Sequence, residues 1–210
     1  MAPNKVPQAP GAIYPQLKGT ISMDGVATPR PPKGSIFPTV QEAGMLAGFL
    51  RSKGIWQTVC LNNMPVPAGG ARILEGMLEA RGCGVVACDV SKYTDNKDRG
   101  NEYWEERVYC SEVRRVGASE IYQIVRPSTT ALLFACVWTA PWKAYFVQYP
   151  QVPLVIIIGG PGASNQRNKR ALTIEMMDQD TAWRRVLSTP LHVEQERPLK
   201  CVVYERISER

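Results

Sequence analysis

Two features at or after the ends of predicted strands have the chemistry to hold a nucleoside: a glycine pair in a loop and a carboxylate at a strand end. Gly69 and Gly70 precede an amphipathic helix, and a Gly-Gly pair lets the backbone approach a ligand closely. Asp89 lies nineteen residues after Gly70 and ends an apolar strand. A carboxylate at that point can accept hydrogen bonds from both hydroxyls of a ribose. Each feature is common by itself in turns and strand ends, but together, at this spacing, they predict a nucleoside site.

Alternating strands and helices must position these groups. The apolar patterns predict strands over 56–63, 83–90, 106–113, 130–138 and 153–160, helices over 39–54, 71–82, 117–127 and 180–189, a short helix or turn over 143–149, and a hairpin of strands 191–197 and 200–208. This order predicts an α/β fold: a Rossmann-like, seven-stranded, mostly parallel sheet with helices on both faces and a C-terminal antiparallel hairpin. In such a sheet a ligand binds beyond the carboxyl ends of the strands, where the strand order reverses.

The first two helices have clear apolar faces. Thr39 is the predicted N-cap of the first helix. Apolar spacing predicts these inward residues: Val40, Gly44, Met45, Ala47 and Leu50 in the first helix, and Ile73, Leu74, Met77 and Leu78 in the second.

The chain divides into a proline-rich arm, residues 1–38, and an α/β domain, residues 39–210. The arm holds 8 of the 17 prolines and half of the net charge of +6, so we predict an extended or disordered segment. It is either a disordered tail or an arm that lies along its own domain or a protein partner. Its apolar residues favour partial order: Ile13, Tyr14, Leu17, Ile36 and Phe37.

The composition limits the cellular compartments and the kinds of partner that we expect for this chain. No apolar run is long enough for a membrane-spanning helix, and the N-terminus lacks the apolar core of a secretory signal. Six cysteines without a CxxC pair, and one histidine, His192, predict reduced core thiols in the cytoplasm rather than disulfides or structural zinc. The positive charge permits a nucleic-acid partner without requiring one.

The segment 71–93, ARILEGMLEARGCGVVACDVSKY, resembles the class I S-adenosylmethionine-dependent methyltransferases, in which a glycine-rich loop and a helix lead to a strand of the form VVGVDIS. The likeness spans about residues 39–208 and implies S-adenosylmethionine as the cofactor and methyl transfer as the activity. It implies a cofactor site formed by Asn62, Asn63, Ala68, Gly69, Gly70 and Asp89, with Ser111 and Glu112 near the adenine. It further implies that Thr139, Pro141 and Trp142 meet the substrate.

The chain departs from that family at two motifs. Asn62 and Asn63 stand where a carboxylate usually ends the first strand, and two prolines interrupt the loop. The strand-four motif has Thr139 and Ala140, so the Pro-Trp step is alternatively a turn packed under the sheet edge. Two other functions stay open: an inactive methyltransferase-like subunit of a larger assembly, and another nucleotide-binding Rossmann protein.

Overall fold

The computed structural model describes residues 39–62, 73–90, 113–116, 120–135, 141–159, 172–191 and 199–207. Their helices are α1 (Val40–Ser52), α2 (Ile73–Glu79), α3 (Trp142–Gln148) and α4 (Ile174–Gln179), with a 3₁₀ turn at Pro127–Thr129. Their strands are β1 (Gln57–Asn62), β2 (Gly84–Val90), β3 (Val113–Val116), β4 (Thr130–Ala135), β5 (Leu154–Gly159), β6 (Trp183–Leu191) and β7 (Leu199–Arg206).

Within these ranges, all seven strands join one sheet in the order β3-β2-β1-β4-β5-β7-β6. The strands from β1 to β5 are parallel to their neighbours among themselves, and β7 is antiparallel to both β5 and β6. The predicted α/β class, the mostly parallel sheet and the C-terminal hairpin are confirmed. The parallel strands end at one edge of the sheet, named here the carboxyl edge, and begin at the opposite amino edge.

The strands are apolar because both faces of the sheet are covered. All six residues of β4 are buried. Successive residues alternate between two core clusters: Cys60 joins a cluster with Leu46 and Leu78 from α1 and α2, whereas Leu61 joins one with Tyr145 and Met177 from α3 and α4. The predicted helices on both faces of the sheet are therefore confirmed.

The first helix begins as predicted, and the face that it turns to the sheet agrees in part with the prediction: Ala47 and Leu50 are buried as predicted. Thr39 forms a capping box with Glu42, whose backbone N–H donates to Thr39 Oγ1 at 3.1 Å. The buried residues of α1 are Ala43, Leu46, Ala47 and Leu50. Val40 and Met45 are instead exposed, because the buried row follows the i, i+3, i+4, i+7 positions that start at Ala43. In α2, Leu74, Met77 and Leu78 are buried as predicted.

The predicted helix over 180–189 is wrong. Residues Trp183–Leu191 form β6, which pairs with β7 from Trp183 opposite Arg206 to Leu191 opposite Leu199. This ladder occupies backbone groups that a helix would use internally. The hairpin thus begins earlier than the predicted 191–197, and residues 192–198, with His192, lie outside the described ranges. The helix lies upstream, as α4, where Thr173 Oγ1 accepts a hydrogen bond from the Met176 N–H at 3.2 Å.

Two more elements differ from the prediction. Residues 120–126 are not helical, although 117–127 was the predicted span. The backbone N–H groups of Tyr122 and Ile124 donate to the hydroxyls of Tyr145 and Tyr149, rather than along a helix. In the region of the predicted strand 106–113 the structure describes the strand Val113–Val116, and residues 106–112 lie outside the described ranges.

The cysteines that the structure describes lie inside the core and form no disulfide, as predicted: Cys60, Cys83, Cys88 and Cys201. Burial raises the pKa of the Cys83 thiol and raises that of Cys201 to about 12. These thiols therefore stay protonated near neutral pH and are poor nucleophiles. Among the helices in the described ranges, none has the length and apolar character needed to span a bilayer.

Candidate nucleotide-binding edge of the sheet

The strand order reverses at β1, which lies between β2 and β4 and is parallel to both. The chain that leaves β1 goes to one side of it, and the later strands β4 and β5 lie on the other. Loops that follow such strands diverge and leave a crevice beyond the carboxyl edge. The fold thus places a candidate ligand site above the ends of β1 and β4.

Strand register brings two of the predicted site residues together at this crevice. Asn62, the last residue of β1, is level with Asp89 on β2 and with Ala135 on β4. Hydrogen-bonded strands lie about 4.8 Å apart. The amide residue that ends β1 and the carboxylate residue near the end of β2 therefore occupy neighbouring positions at the same edge.

The loop that carries the predicted glycines connects this point to α2. Asn63, Ala68, Gly69 and Gly70 fall in residues 63–72, outside the described ranges. The loop follows directly from Asn62, the position level with Asp89.

Arg115 is a neighbour of Asp89 that the sequence prediction missed. β3 is parallel to β2, and Arg115 is level with Asp89 in their register. Arg115 could have been found only with the correct bounds of β3, because the predicted strand ended at residue 113.

The bounds of β3 bear on Ser111 and Glu112, which stay predicted residues near the adenine. They were predicted to end the third strand and hence to lie at the carboxyl edge. Because β3 begins at Val113, both residues precede it. Their own placement lies outside the ranges that the structure describes.

Pro141 and Trp142 start α3, the helix that follows β4. The Trp142 ring is partly buried against the core and meets the Phe146 ring edge-on at 5.5 Å, and Lys143 Nζ lies 5.3 Å from the Trp142 ring centre. These contacts favour the alternative of a Pro-Trp turn that packs on the domain. Thr139 lies outside the described residues.

A separate cavity of about 510 Å³ lies at the amino edge. It is lined by Trp56, Gln57, Val125, Arg126 and Thr129. Gln57 begins β1 and Thr129 precedes β4, so this cavity and the candidate nucleotide site lie at opposite ends of the same strands. No predicted site residue is among those that line it.

The described residues contain no group of three or more His, Cys, Asp or Glu side chains that could hold a metal ion.

Comparison with known proteins gives distant structural similarity only. No family model and no curated protein matches the sequence. An uncharacterized protein of Listeria monocytogenes serotype 4b is 11% identical with a TM-score of 0.48, over 80% of this chain and 67% of that one. Magnesium protoporphyrin IX methyltransferase (ChlM) from Synechocystis PCC 6803, with bound SAM, is 9% identical with a TM-score of 0.46, over 80% and 79%. Streptococcus pneumoniae Sp1610, a putative tRNA (m1A22) methyltransferase in complex with S-adenosyl-L-methionine, is 14% identical with a TM-score of 0.44, over 81% and 74%.

Proposed function

We propose that this chain binds S-adenosylmethionine at the carboxyl edge and acts as a methyltransferase whose acceptor is unassigned. The observation that carries the proposal is the register of Asn62 with Asp89 beside the strand-order reversal. The resemblance of residues 71–93 to class I methyltransferases supports the identity of the ligand.

In this proposal Asp89 recognises the ribose. An ionised carboxylate is an acceptor only, and it accepts from both ribose hydroxyls in charge-assisted hydrogen bonds. Arg115 is level with Asp89 on the neighbouring strand β3. Gly69 and Gly70, which have no side chains beyond Cα, leave room for the ligand beside the loop.

The chemical step needs positioning more than acid–base groups. S-adenosylmethionine supplies an electrophilic methyl group. The protein must hold the acceptor in line with that group, and such positioning accounts for much of the rate in a two-substrate reaction. The absence of a nucleophile–base pair from the predicted site residues is compatible with this chemistry.

Asn62 favours a second candidate function. An amide can accept a hydrogen bond from the cofactor's ammonium group, but it lacks the charge of a carboxylate, a loss of order 1 kcal/mol. If that loss abolishes binding, the fold serves as a structural or interaction subunit of a larger assembly. In this second candidate function, residues 1–38 bind a protein partner.

Titration calorimetry of the full chain separates the candidates. With S-adenosylmethionine and S-adenosylhomocysteine as ligands, we expect saturable binding that weakens about tenfold or more in Asp89→Asn. That substitution keeps the shape of the side chain and removes its charge. Glu205→Gln is the matched control, because it removes one carboxylate near the amino edge, opposite Leu154 at the start of β5.

Three results would count against the proposal. No heat at millimolar concentrations of either ligand eliminates the enzyme and favours the interaction subunit. Binding of NAD or NADP instead favours another nucleotide-binding Rossmann protein, since an arginine beside the ribose-binding acid suits a 2′-phosphate. Equal weakening in Asp89→Asn and Glu205→Gln, with both variants folded by circular dichroism, places the ligand elsewhere.

A further inference from the structure

The cavity at the amino edge has an exposed apolar lining. Trp56 is 64% exposed and Val125 is 82% exposed. Both line the cavity of about 510 Å³, together with Gln57, Arg126 and Thr129, and these five residues are named the amino-edge groove. A solvent-exposed indole beside an aliphatic side chain in a concave surface is typical of a site that binds another chain segment.

Backbone hydrogen bonds hold the walls of the groove in place. The Trp56 N–H donates to the Thr129 carbonyl at 2.9 Å, and the Trp56 carbonyl accepts from the Gly84 N–H at 2.8 Å. The Thr130 hydroxyl donates to the Arg126 carbonyl at 2.7 Å. The groove is therefore formed before a ligand arrives, and its binding does not require ordering of its walls.

The chemistry of the groove suits a polyproline II segment. Such segments dock on aromatic side chains, and their unpaired carbonyls accept hydrogen bonds from neighbouring donors. The Trp56 indole N–H and the exposed Arg126 guanidinium are donors of this kind. The arm contains the matching sequence Pro29-Arg30-Pro31-Pro32.

The length of chain before α1 matches the distance to the groove. The thirteen residues of α1 separate Thr39 from the turn before Trp56 by about 20 Å, at 1.5 Å per residue. Pro32 lies seven residues before Thr39, and seven residues of polyproline II extend about 22 Å. An arm that runs back along α1 from Thr39 thus brings residues 29–32 to Trp56.

We propose that residues 29–32 of the arm dock in the amino-edge groove of their own domain. Docking covers the Trp56 indole and the Val125 side chain with proline rings. This interaction lies at the edge opposite the candidate nucleotide site, and so it is independent of the proposed function.

Fluorine NMR of the full chain labelled with 5-fluorotryptophan tests the docking. Trp56→Phe assigns the Trp56 resonance among the five tryptophans. We expect this resonance to show a small H₂O-to-D₂O solvent shift in the parent chain. In the double variant Pro31→Ser with Pro32→Ser, that shift rises to the value of an exposed indole. Pro7→Ser with Pro10→Ser, in the same arm but outside the segment, leaves the resonance unchanged.

Each alternative occupant gives a different result. A Trp56 resonance that is already exposed in the purified parent overturns the proposal and leaves the groove to a separate partner. A resonance protected in the parent but unmoved in the Pro31/Pro32 variant assigns the cover to another segment. A solvent shift that grows on dilution shows that the arm of a second copy fills the groove, which overturns docking within one chain.

Discussion

Tyr145 in α3 and Tyr149, the residue that caps the end of α3, accept backbone hydrogen bonds from the non-helical residues 120–126. The Tyr145 hydroxyl accepts from the Tyr122 N–H at 2.8 Å, and the Tyr149 hydroxyl accepts from the Ile124 N–H at 3.0 Å. Tyr149 also donates to the Tyr122 carbonyl at 3.2 Å. Burial raises the pKa of Tyr145 well above its usual range, so its hydroxyl stays protonated at neutral pH.

Removal of one of these hydroxyls should destabilise the protein measurably. In Tyr149→Phe the buried N–H of Ile124 loses its acceptor, and an unsatisfied buried donor costs about 1–3 kcal/mol. We expect that decrease in the free energy of unfolding, measured by urea denaturation. Val147→Ala is the control on the same helix, since Val147 is 82% exposed. If both substitutions lower the free energy of unfolding equally, the hydrogen bonds of the Tyr149 hydroxyl do not stabilise the fold.

A second residue-scale prediction concerns Glu205. Its carboxylate accepts hydrogen bonds from Lys53 Nζ at 2.6 Å and from Arg184 Nη2 at 2.8 Å. The Lys53 bond first, and then the Arg184 bond, hold the pKa of Glu205 below its usual value, against a smaller opposing effect of burial. A carboxyl group with a lowered folded-state pKa stabilises the fold above its unfolded pKa, about 4.3, and that contribution is lost as the pH falls through the folded value.

Urea midpoints measured between pH 7 and pH 3 test this dependence. We expect stability to fall across the acid part of this range, and Glu205→Gln to show a shallower fall because it has no proton to gain at that position. At pH 7 the variant should be the less stable of the two. Parallel profiles for the two proteins would contradict the assignment.

At the scale of elements, substitution of two glycines by alanine should have opposite effects on stability. Gly82 lies in the turn after α2 and has a φ of 82°, a backbone conformation that other L-residues adopt at a cost of roughly 1–2 kcal/mol. Gly48 lies inside α1, and a Cβ there meets nothing within 4 Å. The same change to alanine therefore has opposite expected signs.

We expect Gly82→Ala to lower the free energy of unfolding by roughly 1–2 kcal/mol and Gly48→Ala to raise it by roughly 0.5–1 kcal/mol. Urea denaturation of both variants under one set of conditions provides the comparison. A stabilising Gly82→Ala would contradict the left-handed turn, and a destabilising Gly48→Ala would contradict the open space beside α1.

In the described ranges β6 is an edge strand of the sheet, next to β7. Its sequence opposes pairing with a further strand. Arg184 and Arg185 are exposed on it, the register shifts between Arg185 and Leu187, and Pro190 lacks a backbone donor. Charge, a bulge and proline are the features by which natural edge strands avoid edge-to-edge association. The same features hide the strand in the sequence, because the register shift breaks the alternation of apolar residues.

The sequence predicted the central strands well for a physical reason. β1, β2, β4 and β5 are buried on both faces, so each is a continuous apolar run with sharp ends. The prediction of the third strand stopped at Val113 because Arg114 and Arg115 interrupt the apolar pattern there, and Arg114 is exposed. The non-helical conformation of residues 120–126 could not be predicted locally, since its acceptors, Tyr145 in α3 and Tyr149 directly after it, lie more than twenty residues later in the chain.

At the scale of the whole molecule, topology decides which residues can act together. The order of strands and helices predicted a ligand site beyond the carboxyl ends of the strands, and the structure adds that Asn62 is level with Asp89 there. The amino-edge groove had no comparable signal. Trp56 and Val125 are far apart in the chain, and they meet because the strand pairing of β1 with β4 brings their preceding segments together.

The four buried thiols in the described part of the chain have a practical consequence. Cys60 and Cys88 lie on the central strands β1 and β2, whereas Cys201 lies on β7 in the hairpin. A buried thiol meets a water-soluble alkylating reagent only when its surroundings open. The rate of alkylation of each cysteine therefore reports how often its surroundings open. Mass spectrometry of the alkylated peptides would measure the opening rate of the hairpin separately from that of the central strands.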